Sequence, residues 1–248
     1  MIEVQHISKA FAGTAVLKDV SFSFEPGKTN LIIGQSGSGK TVLMKCLVGL
    51  HEVDEGSILF DGRNFSGMGF KERKEIRQEI GMLFQGGALF DSMTVEENVI
   101  FPLTMFTSQS REEKRERAHF CLKRVNLDNT QHLYPAEISG GMKKRVAIAR
   151  AIAMNPKYLF CDEPNSGLDP QTANVIDNLI YELTHELSIT TVVNTHDMNS
   201  VLEIGDHIAF LYKGELKWTG DRESILHTQS PEINAFVFSS ELTRRLKR

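Results

Sequence analysis

Residues 34–41 read Gly34-Gln35-Ser36-Gly37-Ser38-Gly39-Lys40-Thr41: a glycine, four residues, then Gly-Lys-Thr. That spacing suits the holding of a polyphosphate. Glycines reach backbone angles that other residues resist, so consecutive N–H groups turn inward and cradle phosphate oxygens. Lys40 adds a fixed positive charge at the β- and γ-phosphates, and the Thr41 hydroxyl is a ligand for Mg²⁺. The flanks fit this chemistry. Thr29 to Ile33 is a short apolar strand, and Val42 to Val48 continues as a helix whose N-terminus faces the phosphates.

A phosphate loop of this kind needs a magnesium-holding acid on a neighbouring buried strand. Asp162 directly follows the apolar run Tyr158-Leu159-Phe160-Cys161, so its carboxylate emerges at the C-terminal end of a strand, where α/β proteins bind ligands. Glu163 stands next to it. Two adjacent acids suggest divided labour: one holds Mg²⁺, often through water, and the other orients and polarises an attacking water. Ser139-Gly140-Gly141 is a second glycine-led element, ahead of the helical stretch Met142 to Ala153. A single nucleotide does not ordinarily need two such helix starts.

The elements that must position these residues follow from pattern. Residues 2–7 and 20–24 are predicted as short strands, the second on the alternation of Val20, Phe22 and Phe24 with Ser21 and Ser23. Phe11 to Thr14 and Pro26-Gly27 are turns. Strands are also expected at Ser57 to Phe60, Ile80 to Phe84, Tyr158 to Cys161 and Ile189 to Asn194, with a hairpin of His207–Tyr212 and Glu215–Trp218. Helices are expected at Lys71 to Gln78, after the caps Thr94 and Ser110, and over residues 171–187. Pro102 should limit or kink the helix that Thr94 begins. Strands alternating with helices imply an α/β fold with a largely parallel sheet covered on both faces. The helix-rich interruption at 86–156 implies an inserted helical subdomain within a core of 1–85 and 157–230. Residues 231–248 read as a C-terminal helical tail, with Phe236, Val237, Phe238 and Leu242 expected to pack on the same chain.

Composition narrows the class. The chain has 248 residues, enough for one large domain or a core with a subdomain, and its 41% hydrophobic and 24% charged residues are ordinary for a soluble globular protein. A net charge of −4 argues against a nucleic-acid partner. Cys46, Cys121 and Cys161 lie far apart among apolar residues, so they are expected to be buried and reduced. The start, Met1 to His6, lacks the basic and apolar regions of a signal peptide. No window approaches the roughly 18 apolar residues of a spanning helix. The expectation is a cytosolic protein.

The motifs together resemble the nucleotide-binding subunits of ABC transporters over about residues 2–225, in order and nearly in full. Residues 34–41 match the phosphate loop, and Gln85 the Q-loop glutamine. Ile138-Ser139-Gly140-Gly141-Met142 matches the signature motif, and Leu159 to Glu163 the Walker B strand. Ser166-Gly167-Leu168-Asp169 matches the D-loop, and His196 the switch histidine. Phe11 lies where the family places an aromatic residue that stacks on adenine. The resemblance implies a P-loop ATPase fold, a mostly parallel core with an antiparallel β subdomain and an inserted helical subdomain. It implies ATP and Mg²⁺ as cofactors, Thr41, Gln85 and Asp162 at the metal, and Glu163 as general base. His196 would contact the γ-phosphate, and Gln85 would sense both Mg²⁺ and the membrane subunit. ATP would sit between two copies packed head to tail, the loop of one facing Ser139, Gly140 and Gly141 of the other. Two departures stand out: Met142 replaces the usual signature Gln, and Phe11 replaces the commoner Tyr, keeping the π-face without the hydroxyl.

With no membrane span, the permease is expected to be a separate polypeptide docked beside Gln85. The small Gly86-Gly87-Ala88, then Leu89 to Val95, and the Ser-Gly-Gly-Met ending look like the ATPases of Mla/Mce-type (MlaF-like) phospholipid transport systems. That resemblance implies an Mce-domain lipid-binding partner, lipid movement between inner and outer membranes, and a peripheral position on the cytoplasmic side of the inner membrane. The alternatives are an importer of amino acids or another small solute and, ranked below, a soluble iron–sulfur assembly ATPase. Lys143-Lys144-Arg145 after the signature resembles the last. Repair-type ATPases need a long coiled coil, and translation-type members carry two cassettes; this chain shows neither.

Overall fold

The computed structural model describes residues 1–238. It opens with a hairpin of β1 (Ile2–Phe11) and β2 (Thr14–Phe24), closed by Ala12 and Gly13 at positive φ. Both strands run longer than the alternation predicts. His6 and Asp19 sit at φ 54° and 52°, where the pairing register shifts. Each bulge resets which side chains face inward, so the period-2 pattern breaks while the strand continues.

Next come β3 (Thr29–Ile33), α1 (Lys40–Leu47), β4 (Glu55–Phe60), β5 (Arg63–Asn64), α2 (Phe70–Gln78) and β6 (Ile80–Leu83). A helical stretch follows: α3 (Val95–Phe106), α4 (Arg111–Arg124) and α5 (Gly140–Ile152). Alternation then resumes with β7 (Tyr158–Asp162), α6 (Pro170–Glu186), β8 (Thr190–Thr195), α7 (Met198–Ile204), β9 (His207–Tyr212) and β10 (Glu215–Gly220). Two short helices close the described chain, α8 (Ser224–His227) and α9 (Pro231–Val237).

The strands form two sheets. One is antiparallel, in the order β2-β1-β4-β5; the other runs β10-β9-β3-β8-β7-β6 and is parallel except for β10. Every residue of β3, β7 and β8 is buried, as expected of central parallel strands covered on both faces. Their side chains divide by parity. Leu31, Ile33, Leu159, Cys161 and Val193 pack with the helical stretch, α6 and α7. Ile32, Tyr158, Phe160 and Val192 pack with α1 and the antiparallel sheet. The six-stranded sheet thus separates two apolar cores, and its C-terminal strand ends are the edge both cores leave open to a ligand.

The helix ends follow their caps. Thr94 and Ser110 form capping boxes with Glu97 and Glu113. Helix α3 continues through Pro102 to Phe106 instead of stopping there. Packing overrides the local penalty, because Val99 and Leu103 on either side of the proline are buried. All three cysteines are buried, and burial pushes the Cys46 and Cys121 thiols up to about 11. In the tail, Phe236, Val237 and Phe238 join the core, with the Phe236 ring 5.5 Å from Phe210 of β9. Leu242 lies outside the described residues.

Candidate active site

The loop between β3 and α1 takes its shape from glycine. Gly34, Gly37 and Gly39 adopt φ of 149°, 79° and 107°. A Cβ on Gly34 would stand 2.2 Å from the Leu211 carbonyl oxygen, so both angle and space demand glycine there. Lys40 is buried and donates from Nζ to the carbonyls of Gly34 (2.9 Å) and Gln35 (3.1 Å). Burial holds its ammonium below the usual lysine range, opposed by the charges of Glu163 and Asp162. A cleft of about 190 Å³ opens over the loop, lined by Val16, Ser36, Gly37, Gly39, Lys40, Thr41, Val42 and Glu163.

Asp162 ends β7, 9% exposed. Its Oδ1 accepts from Asn194 Nδ2 at 3.1 Å and stands 3.4 Å from Thr41 Oγ1. No three His, Cys, Asp or Glu side chains converge on a metal cluster among the described residues. A hydroxyl with one carboxylate is nevertheless the protein donor set that suits Mg²⁺, which keeps waters and phosphate oxygens as its other ligands. Ser38 Oγ and Asn194 Oδ1 are buried without a protein partner, and a ligand or its waters would satisfy them.

Glu163 adopts φ 45° just beyond the strand and lines the cleft. Its carboxylate is held from two sides. Gln85 Nε2 donates to Oε2 at 2.9 Å, and His196 Nδ1 lies 3.2 Å from Oε1. Gln85, two residues beyond β6, therefore meets Glu163 and Ser166 Oγ (3.3 Å) rather than Thr41 or Asp162.

Two sequence-derived residue sets stand away from this cleft. Phe11 lies at the β1–β2 turn, 40% exposed, with its ring edge-on to His51 and Lys9 Nζ above it. Val16 lines the cleft; Phe11 does not. Ser139 caps α5 by accepting from Met142 N at 3.2 Å, and Ser139 and Gly140 are exposed. Gly141 is needed for close packing: a Cβ there would come within 2.5 Å of Thr172 in α6.

Two further residues support the site. Lys144 is buried in α5 and donates to the Gln85 carbonyl; burial lowers its pKa. Arg150 donates to the carbonyls of Ala88 (2.8 Å) and Gly87 (2.7 Å). The only signal for either is a cation on the apolar face of α5, where a charge must have a partner.

This fold, a glycine-shaped loop over the ends of parallel strands with an acid pair beside it, defines a P-loop nucleotide hydrolase. Residues 17–166 match the ABC transporter family. The chain is 39% identical over 241 residues to the methionine import ATP-binding protein MetN of Clostridium acetobutylicum, covering 97% of this chain and 75% of that one. It is 36% identical over 236 residues to the probable ribonucleotide transport ATP-binding protein mkl of Mycobacterium leprae, covering 95% and 68%. Among solved structures it resembles cbiO1 of Clostridium perfringens, part of an ABC transporter complex, with TM-score 0.86, 28% identity, and 100% and 98% coverage. It also resembles the dimeric ATP-binding cassette MJ0796 bound to ADP and Pi, with TM-score 0.82, 33% identity, and 90% and 99% coverage. The chain belongs to the ABC transporter family and is an ATP-binding, ATP-hydrolysing protein of that family. No helix among the described residues is long and apolar enough to cross a membrane.

Proposed function

We propose that this chain hydrolyses ATP to drive a separate membrane permease, and that two copies act head to tail. One observation carries the reading. The phosphate loop lines the cleft, while Ser139 and Gly140 face solvent and line no part of it. A signature that serves the nucleotide must then reach it from a second chain. In this reading residues 34–42 hold the phosphates and Phe11 stacks on adenine. Thr41 and Asp162 would hold Mg²⁺, and Gln85, which here donates to Glu163, would join them through its amide oxygen; the ion would supply positive charge against the phosphates. Glu163 orients the attacking water and accepts its proton, and His196 contacts the γ-phosphate. Glu163→Gln should bind ATP, hydrolyse it very slowly and trap the dimer; a fully active monomer would contradict the scheme.

The permease docks beside Gln85. An apolar groove of about 480 Å³ lies there, lined in part by Phe84, Ala88, Phe90, Phe101, Pro102 and Phe106. Its size and character suit a short helix with apolar anchors. The helical segment 86–156 carries both this groove and Ser139, and Lys144 joins it to the backbone of Gln85. A permease helix pressing on the groove would thus bear on a residue that touches Glu163. In this reading the chain works at the cytoplasmic side of the inner membrane.

For the cargo we infer phospholipid, with an Mce-domain lipid-binding partner, on the Gly86-Gly87-Ala88 segment and Met142. Import of a small solute is the second reading, and the 39% identity to a methionine import protein supports it at least as well. Copurification of the complex from native membranes, with mass spectrometry of what it holds, separates the two. Phospholipid supports the first reading, and methionine or another polar solute without phospholipid defeats it.

A further inference from the structure

Behind the Glu163–His196 contact lies a buried polar cluster that none of the motifs includes. Asp177 on α6 and Ser200 on α7 are each 1% exposed. Asn165 Nδ2 donates to Asp177 Oδ2 at 2.7 Å and to Ser200 Oγ at 3.1 Å; Ser200 Oγ donates to the same Asp177 oxygen at 2.7 Å. The three close a triangle between three separate pieces of chain.

Two of those pieces carry the catalytic candidates. Asn165 lies in the turn that Glu163 begins, and that turn is closed by Ser166 N donating to the Glu163 carbonyl at 3.2 Å. Ser200 lies four residues after His196, in the first turn of α7. His196 and Glu163 face each other at 3.2 Å above, and the triangle ties their supports together below. We propose that Asp177 is a positioning residue: its one oxygen, shared by Asn165 and Ser200, sets the separation and orientation of Glu163 and His196.

The arrangement is a poor stabiliser, which favours a positioning role. Asp177 Oδ1 and Asn165 Oδ1 are buried without a partner. The charged groups acting on Asp177 are Asp197 and Glu203, both acidic, and burial pushes its carboxyl up to about 6. An apolar residue would fill the α6–α7 interface without leaving unpaired polar atoms. What it would lack is the directional grip on two loops.

The inference rests on the reading of Glu163 and His196 as catalytic, and the experiment separates the two. ATP turnover and ATP affinity of the full chain are measured for Asp177→Ala, Asp177→Asn, Asn165→Ala, Ser200→Ala and Glu163→Gln, each normalised to folded protein. Asp177→Ala should lower kcat by about ten- to a hundredfold with ATP affinity within about threefold, since misplacing catalytic groups costs rate before binding. Asp177→Asn keeps an accepting oxygen and should restore kcat to within about threefold of wild type. If Asp177→Ala misfolds, Asn165→Ala and Ser200→Ala each remove one of the two bonds to Asp177, along with the bond between them, and should show the same split more weakly. Wild-type kcat in every folded variant of the triangle, with Glu163→Gln inactive, overturns this inference alone. Wild-type kcat in Glu163→Gln overturns the catalytic reading beneath it.

Discussion

The two glycine-led helix starts look alike in sequence and differ in structure. At residues 34–39 the glycines take left-handed or strained angles, and the loop curls around a buried lysine. At residues 139–141 neither glycine has positive φ; Ser139 is an ordinary cap, and Gly141 is small because α6 lies against it. The first is a nest whose backbone is shaped for phosphate. The second is a regular helix end at an exposed position, where Ser139 satisfies the Met142 N–H and the helix's other first N–H groups lack intrahelical acceptors. A site complete within one chain would need both to converge. Their divergence is what the proposed two-chain arrangement requires, in which each chain would carry two halves of different sites.

Lys40→Ala should be the most damaging change, because it removes the loop's internal tie as well as its charge. Turnover and single-chain ATP affinity should fall together, by about a hundredfold or more; unchanged ATP binding would break the contrast at its first term. Ser139→Arg should lower hydrolysis by about a hundredfold yet leave ATP binding to one chain intact, read by titration below the dimerisation concentration. If binding fell too, the second start would belong to the same chain's site.

Stability sharpens the contrast further, beginning with α6, which the second start rests on. Its Asp177 has a folded value raised from 3.8 to about 6, so the folded chain binds more protons than the unfolded one in that window. Stability contributed through this group therefore falls as pH rises from about 4 to about 6, by about 3 kcal/mol at most. Asp177→Asn abolishes the titration, so its stability relative to wild type should climb through that window. Parallel denaturation profiles from pH 4 to 7 would remove the effect. Gly37→Ala should cost least, about 1–2 kcal/mol from left-handed strain alone, since nothing lies within 4 Å of a Cβ there.

Much of this was legible because the chemistry is local. The phosphate loop, the apolar run ending at Asp162 and the serine-capped helix at 140 each announce themselves within a few residues. The chain's alternation gave the α/β class for the same reason. Bulges at His6 and Asp19 hid the length of β1 and β2, because pattern reading assumes an unbroken period. Packing around Pro102 overrode a local helix breaker. The Asn165–Asp177–Ser200 triangle was illegible for a different reason. Its members are ordinary polar residues, and only the packing of α6 and α7 against the turn after β7 brings them together. Lys144 reads as one of three basic residues until its ammonium is seen to hold the Gln85 backbone.

An ATP site completed by two chains is tested directly by mixing. Lys40→Ala and Ser139→Arg chains, coexpressed with different tags and purified as the mixed dimer, place both defects in one composite site and leave the other intact. Each variant alone should be nearly inactive, and the mixed dimer should recover up to about half of wild-type turnover. A mixed dimer as inactive as its parents would contradict the account.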